Sequence, residues 1–219
     1  MWKVKSNFMN YRADFIKSIG LDLSEAGFDF LQKYLDLLWE KKDSLNLTSA
    51  RGKQEIWDRH ICDGLVSAAL IARSGGDKEI FAADYGAGAG YIGFAIAAVL
   101  PAARVSLIES LSKRCMFLEW IIYKAGLKNV KVLNMRADCG LANPSFDFTV
   151  ERAMGKLENV LEICAKDLKK GGLFIAYQAV EALFDANAVK RGGVKEEPSF
   201  VYKLPSEDKL RKLSLFRKY

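Results

Sequence analysis

The sequence has few of the residues that mark a secreted, membrane-spanning or metal-binding protein. Its 219 residues contain one histidine and four cysteines, and scattered cysteines are typical of reduced, mostly buried thiols in the cytosol. One histidine and cysteines so widely spaced make no ligand set for a metal ion. No apolar run approaches the roughly 20 residues that cross a bilayer, and MWKVKSNFMNYRADF lacks the apolar core of a secretory signal. We therefore expect a cytoplasmic monomer without membrane or metal. The cysteines are Cys62, Cys115, Cys139 and Cys164.

The sequence has fewer acidic than basic side chains, and most of the excess positive charge lies at the C-terminal end. The net charge is +6, and from Lys190 to Tyr219 nine Lys or Arg stand against four Asp or Glu. A basic segment suits a polyanionic partner such as RNA, because each phosphate that is neutralised releases counterions. Many proteins with other partners are also mildly basic, so charge alone leaves the partner open.

The residue pattern divides the chain into two parts. Residues 1–75 read as helical: Ser24 is placed to cap a helix whose apolar residues follow at helical spacing, and a second amphipathic segment runs over 53–72. The segment RSGGDKE reads as a linker. We therefore predict a helical N-terminal extension over 1–75 and an α/β domain over 76–219.

From Glu79 onward, strand and helix patterns alternate. The predicted strands are EIFAADY, RVSLIE, NVKVLN, FDFTVER and LFIAYQ, the last preceded by a helix stop at KKGG. The tail reads as two antiparallel strands, EEPSFVYKL and KLRKLSLFRKY, around the turn PSED. Alternation of this kind predicts a parallel sheet covered on both faces. A mostly parallel, seven-stranded, Rossmann-like sheet ending in an antiparallel hairpin fits a class I S-adenosylmethionine-dependent methyltransferase better than a pure dinucleotide-binding sheet.

The segment DYGAGAGYIG has two possible ligands. Its GAGYIG matches the dinucleotide fingerprint, while Asp84 with Gly86, Gly88 and Gly90 matches the loop of S-adenosylmethionine enzymes. Two like charges about 4 Å apart repel by roughly 4 kcal/mol at an effective dielectric of about 20, so Asp84 would disfavour a pyrophosphate. The same carboxylate would attract a sulfonium and an ammonium group. The loop therefore favours S-adenosylmethionine as the cofactor.

Two further acids follow the next two predicted strands. Glu109 ends the second strand, where a carboxylate can accept hydrogen bonds from ribose hydroxyls in either cofactor class. It could instead serve only as an acid at a helix N-terminus. Asp138 follows the third strand, beside the expected adenine position, although an Asp in a loop is often a turn residue.

Several motifs, in order, resemble those of the RsmG (GidB) family of bacterial methyltransferases. The resemblance covers about Asn46 to Gly172, and its most specific parts are N-L-T, H-x-x-D and E-S-x-x-K-R-x-x-F-L. It implies transfer of a methyl group from S-adenosylmethionine to N7 of a guanine in the 530 loop of 16S ribosomal RNA. The motifs are NLTS, ARG, RHICDGL, DYGAGAGYIG, LIESLSKRCMFL and ERAM.

The resemblance also implies particular cofactor contacts. They fall on Gly86, Tyr91, Ala137 with Asp138, and Arg152, with Glu109 at the ribose. The chain differs from the usual family residues at Ile92, Glu151, Gln178, Ala179 and Lys212.

Arg152 is the strongest candidate for a reactive-site residue, although no catalytic group is otherwise identified. It ends the fourth strand, where ligands of such sheets bind; an ion pair with Glu151 or another acid is the alternative. His60 forms a predicted i, i+3 pair with Asp63, with a structural or an RNA-binding role. Lys113 and Arg114, near a helix N-terminus, suit an RNA phosphate or a solvated face. Further predicted RNA contacts are Arg51, Lys209, Arg211 and Lys212.

The leading hypothesis is thus a ribosomal RNA guanine-N7 methyltransferase whose partner is 16S ribosomal RNA or the small subunit. N7 carries a lone pair and no proton, so in-line attack needs alignment and not a strong base. The alternatives are a methyltransferase for a small molecule or protein, a NAD- or FAD-binding oxidoreductase, and a cofactor-binding protein without catalysis.

Overall fold

The structure is a computed structural model that describes residues 11–75 and 79–219. The first ten residues of the predicted extension, and residues 76–78 of the predicted linker, lie outside the described residues. A seven-stranded sheet has the order β3-β2-β1-β4-β5-β7-β6. Strands β1 to β5 pair in parallel with one another, and β7 is antiparallel to both β5 and β6. This confirms the predicted fold class. The strands are β1 Phe81–Tyr85, β2 Arg104–Glu109, β3 Val130–Asn134, β4 Phe146–Glu151, β5 Leu168–Gln178, β6 Val194–Lys203 and β7 Leu210–Lys218.

Seven helices surround the sheet in the described part of the chain. The third contains a π-helical turn over Trp57–Ile61, which the sequence pattern does not reveal. In the described ranges no helix is long and apolar enough to cross a bilayer. The helices are α1 (residues 11–18), α2 Glu25–Lys41, α3 from Lys53–Ile56 through the π turn to Cys62–Gly75, α4 Tyr91–Val99, α5 Ser112–Ala125, α6 Leu157–Lys166 and α7 Ala186–Arg191.

The helix termini follow local sequence signals. The Ser24 side chain accepts the backbone N–H of Gly27, as expected for the N-cap of α2. Gly126 ends α5 in the left-handed conformation, with φ of 68°. The missed helix α7 is capped by the Asp185 side chain, which accepts from the backbone N–H of Asn187. Short helices of this kind depend on tertiary packing more than on periodicity.

The two faces of the sheet carry separate hydrophobic cores. The larger core joins α2, α3, α4 and α5 to one face, with Tyr34, Leu38 and Phe94 fully buried. The smaller core packs α6 and α7 on the other face, around Phe174 and Phe216. Burying one such side chain contributes about 1.5–3 kcal/mol. The predicted extension therefore shares a continuous core with the sheet.

One local prediction is wrong. The segment KKGG lies inside β5, which begins at Leu168, because the β4–β5 register shifts between Phe146 and Phe148 and accommodates extra residues. The free thiols are mostly buried, as expected: Cys62, Cys115 and Cys164 are buried, and Cys139 is exposed. The tail forms the predicted hairpin, and Pro198 is accommodated where the β6–β7 register shifts, on the edge strand.

Candidate active site

The glycine loop connects β1 to α4 at the carboxyl end of the sheet. Asp84 is buried at the end of β1, and its Oδ2 accepts the backbone N–H of Gly93 at 2.9 Å. A Cβ on Gly93 would lie 2.1 Å from Leu107 Cδ2 and 3.2 Å from Asp84 Oδ2, so a side chain there would have to displace Leu107. Gly88 has φ of 58°, and a Cβ there would meet only the Gly86 carbonyl oxygen, at 3.8 Å. The loop thus leaves an open cradle above the strand end.

Glu109 supports the cradle from β2. Its Oε2 accepts the N–H of Gly88, and its Oε1 accepts those of Ser110 and Leu111, all at 2.9 Å. The side chain is almost fully buried. In this structure the carboxylate therefore holds backbone groups, which is the alternative role that the sequence left open for it.

A cavity of about 240 Å³ opens beside the loop. Arg114, from the first turn of α5, and Arg152, after β4, contribute the two cations of its lining. Ligand pockets usually measure about 300–1,000 Å³, so a nucleoside cofactor would extend beyond this cavity. Its other lining residues are Leu47, Asp84, Gly86, Ala87, Gly88, Ala89, Tyr91, Ile92 and Ala153.

Tyr91, the first residue of α4, lies between two groups that the sequence also singled out. The His60 ring stacks on it with centroids 4.6 Å apart, and Arg152 Cζ lies 5.2 Å from its ring centroid. Burial and nearby cations, Arg152 first among them, lower the pKa of His60 to about 4. His60 is therefore neutral near pH 7 and acts here by stacking. The Tyr91 hydroxyl is buried and makes no hydrogen bond with the described residues.

The predicted pairing of His60 with Asp63 is wrong. The buried Asp63 carboxylate instead binds Arg152 and Arg211. The π-helical turn offers a physical reason, because five-residue turns rotate side chains away from ordinary i, i+3 positions. The Arg152 ion pair thus involves Asp63, and not the neighbouring Glu151.

A second cavity, of about 660 Å³, adjoins the first. Both are lined by Arg152 and Ala153, so the two cavities lie side by side. We call the larger one the cleft. Its lining is rich in cations and contains two tyrosines. Its other lining residues are Arg59, Tyr177, Gln178, Ala179, Tyr202, Glu207, Asp208, Lys209, Leu210, Arg211 and Lys212.

Two predicted RNA contacts have partners within the protein. The Lys212 Nζ donates to the backbone oxygens of Val180 and Ala182, each at 3.0 Å, and so fastens the loop after β5. Arg211 forms two hydrogen bonds with Glu207 as well as binding Asp63. These cations line the cleft, and each also holds part of the protein in place through these internal hydrogen bonds.

The remaining predicted residues lie around the two cavities. Asp138 is exposed on a 3₁₀ turn with Ala137 and forms two hydrogen bonds with Arg136, which lower its pKa. Neither Ala137 nor Asp138 lines the cofactor cavity. Lys113 is exposed in the first turn of α5, and the exposed Arg51 precedes α3. Gly90 is buried at the N-terminus of α4.

Two buried carboxyl groups have unusual protonation. Burial raises the pKa of Asp84 to about 7, and burial raises that of Glu151 to about 7. Asp84 is therefore not the fixed negative charge that the sequence predicts, because burial makes its charge depend on pH. In the described part of the chain, no three His, Cys, Asp or Glu side chains are placed to hold a metal ion.

Sequence reasoning missed the residues that tie the extension to the site. Tyr34 of α2 donates its hydroxyl to the Ala89 carbonyl, at 2.9 Å, and so fixes the glycine loop from outside the α/β domain. Tyr202 donates to Asp63 Oδ1 at 2.6 Å, across 139 positions of sequence. Only Asp63 carried a signal, as part of the H-x-x-D motif.

The sheet order, the glycine cradle and the acids at the ends of β1 and β2 define a class I S-adenosylmethionine-dependent methyltransferase fold. A family model described as rRNA small subunit methyltransferase G matches residues 28–207. The chain belongs to this family.

Individual relatives agree with that assignment. Ribosomal RNA small subunit methyltransferase G of Carboxydothermus hydrogenoformans is 32% identical over 212 residues, covering 93% of this chain and 88% of that protein. The protein of the same name from Lachnoclostridium phytofermentans is 31% identical, covering 93% and 86%. Magnesium protoporphyrin IX methyltransferase from Synechocystis PCC 6803, solved with bound S-adenosylmethionine, is 10% identical with a TM-score of 0.62, covering 89% and 92%. That likeness shows the fold alone.

Proposed function

We propose that this protein transfers a methyl group from S-adenosylmethionine to N7 of a guanine in the 530 loop of 16S ribosomal RNA. One observation carries the proposal: a small cavity suited to a cationic cofactor lies beside a larger cationic cleft, and Arg152 lines both. Family membership supports the ribosomal RNA as substrate. The choice of N7 and of the 530 loop rests on the resemblance of the motifs.

The residues present fit S-adenosylmethionine. The open cradle at Gly88 admits a ligand close to the backbone, and the buried Tyr91 hydroxyl, which makes no hydrogen bond with the described residues, can bind a polar group of that ligand. Asp84, when ionised, attracts the positive sulfonium and ammonium groups. Arg114 and Arg152 are placed to bind the cofactor carboxylate through charge-assisted hydrogen bonds.

The cofactor supplies a methyl group on a positively charged sulfur, and the electron pair of the broken carbon–sulfur bond stays on that sulfur. The attacking N7 of guanine uses its ring lone pair and loses no proton. The protein therefore needs to align two reactants and exclude water, which can supply much of the rate enhancement. His60, neutral near pH 7 and stacked on Tyr91, serves this alignment as a packing group.

The cleft suits a nucleic acid more than a small neutral molecule. Its lining combines cations from α3 and the hairpin, a type of side chain that binds phosphates, with Tyr177 and Tyr202. A small-molecule substrate would not require a cationic cleft that opens to solvent.

The test is methyl transfer to small ribosomal subunits that lack the modification. Labelled S-adenosylmethionine and the purified protein should mark one guanine of the 530 loop, located by mass spectrometry of RNA fragments. A label at another nucleotide, or on protein, would replace the proposed substrate. Binding of S-adenosylmethionine without any transfer to subunits or their RNA would indicate a cofactor-binding protein without this activity.

A further inference from the structure

A buried carboxylate lies beneath the boundary of the cofactor cavity and the cleft. The Asp63 side chain has no exposed surface. Its Oδ2 accepts hydrogen bonds from Arg152 at 3.0 Å and from Arg211 at 2.6 Å, and its Oδ1 accepts one from the Tyr202 hydroxyl at 2.6 Å. Every partner is a side chain of the cavity or cleft lining.

These partners come from distant parts of the chain. Asp63 belongs to α3 of the N-terminal extension, Arg152 follows β4 of the central sheet, and Tyr202 and Arg211 belong to the C-terminal hairpin. The Tyr177 hydroxyl also donates to the Asp63 backbone oxygen at 2.7 Å. Three segments that build the site thus meet at one carboxylate.

The arrangement brings two guanidinium groups to one oxygen atom. Without the carboxylate, the two guanidinium groups would repel each other and move apart, because like charges that contact the same atom interact strongly in a partly buried site. For binding a polyanion alone, a negative charge at this place is unfavourable. Buried ion pairs are also weak contributors to stability. The remaining effect of the carboxylate is geometric, since it holds the two guanidinium groups in fixed positions.

We propose that Asp63 is a positioning residue for methyl transfer: it fixes the guanidinium groups of Arg152 and Arg211 in the orientation that the reacting guanine and cofactor require. The inference rests on the proposed function. Asp63 does not line either cavity, so it acts through its partners.

The test replaces Asp63 with asparagine, which keeps the shape and removes the charge. Methyl transfer to unmodified small subunits is measured at saturating cofactor, and subunit affinity is measured separately. We expect kcat to fall by about tenfold or more, as for a misplaced group at a reacting centre, while subunit affinity is unchanged or tighter. A merely structural role would weaken both together with thermal stability.

The matched control is Asp36→Asn, the same chemical change at an exposed carboxylate of α2 that pairs with Lys53. It should leave kcat and subunit affinity unchanged. A folded Asp63→Asn variant with a kcat within about twofold of the wild type would overturn the inference. Absence of transfer by the wild-type protein would instead refute the proposed function, so the two failures are distinguishable.

A double-mutant cycle tests whether Asp63 acts through Arg152. Adding Asp63→Asn to Arg152→Ala should lower kcat by less than Asp63→Asn does alone, because contacting residues are not additive; full additivity would contradict the inference. If Asp63→Asn does not fold, Tyr202→Phe removes one hydrogen bond from the same carboxylate. That variant should lower kcat several-fold, and an unchanged kcat would then overturn the inference.

Discussion

At the scale of single residues, the lining of the cofactor cavity contains one carboxyl group whose charge varies with pH and two fixed cations. Asp84 is buried against the Gly93 N–H, and Arg114 and Arg152 also line the cavity. A cofactor that carries both positive groups and a carboxylate has a counter-charge for each. The cavity thus selects by charge at the level of individual side chains.

The first prediction concerns cofactor affinity and pH. Because burial raises the pKa of Asp84 to about 7, the carboxylate is mostly protonated below that pH and ionised above it. Binding of a positively charged ligand should therefore strengthen from about pH 5.5 to about pH 7.5, by up to about tenfold per pH unit at the steepest part. Calorimetric titration of S-adenosylmethionine across this range measures the effect.

Asp84→Asn should bind more weakly at about pH 7.5 and lose most of this pH dependence. Glu151→Gln is a matched control, because Glu151 is also buried with a pKa near 7 but does not line the cavity. If Glu151→Gln removes the pH dependence and Asp84→Asn retains it, the assignment of the effect to Asp84 is wrong.

At the scale of elements, α3 and α4 approach so closely that one glycine separates their backbones. A Cβ on Gly64 would lie 2.5 Å from the backbone oxygen of Tyr91 and 2.8 Å from the Ala95 side chain. Gly64→Ala should therefore push the helices apart and lower the free energy of unfolding by about 1–3 kcal/mol. Denaturant unfolding measures this change, and cofactor titration should show weaker binding because Tyr91 moves.

Gly52→Ala provides the control for that prediction. Gly52 precedes α3 with an ordinary extended backbone, and a Cβ there would meet nothing within 4 Å. It should leave both stability and cofactor affinity nearly unchanged. An equally stable Gly64→Ala variant would show that the helices can separate at little cost.

The elements with strong local signals were predictable from the sequence. The five parallel strands, the hairpin and the termini of α2 and α5 depend on alternation, helical spacing, Ser24 and Gly126. The π-helical turn and the extended KKGG segment were not, because each depends on packing and register that a local pattern does not encode.

The candidate site was predictable only in its contiguous part. Asp84 and the glycines lie within one loop, so the sequence placed them together. The contacts of Asp63 join residues 89, 139 and 148 positions apart, and no periodicity indicates such contacts. His60 was assigned to Asp63 by ordinary helical geometry, which fails at a π turn. Burial likewise sets the pKa of Asp84, and burial is a property of the folded chain.

At the scale of the whole molecule, buried carboxyl groups make stability depend on pH. The pKa of Glu151 is near 4.5 when exposed and about 7 when folded, so the folded state binds the proton more tightly. The free energy of unfolding should therefore fall as pH rises from about 4.5 to about 7 and stay low above that. Glu151→Gln should flatten this fall and raise stability at about pH 8 by about 1–3 kcal/mol. Denaturant unfolding at several pH values measures it, and an unchanged slope would contradict the assignment.

The distribution of charge over the whole molecule predicts how RNA binding responds to salt. Exposed Lys209 lies at the rim of the cleft, whereas exposed Lys195 lies on the same hairpin, near the opposite end of β6. If the cleft binds the RNA backbone, Lys209→Ala should reduce the slope of log affinity against log salt by about 0.7–0.9, the value for one lost phosphate contact. Lys195→Ala removes the same charge and should leave the slope unchanged, because the long-range field is screened within about 10 Å at ordinary ionic strength.

Binding to unmodified small subunits over a series of salt concentrations measures both slopes. Equal reductions in the two variants would mean that net charge and not the cleft governs binding, and no reduction in Lys209→Ala would place the RNA elsewhere on the molecule.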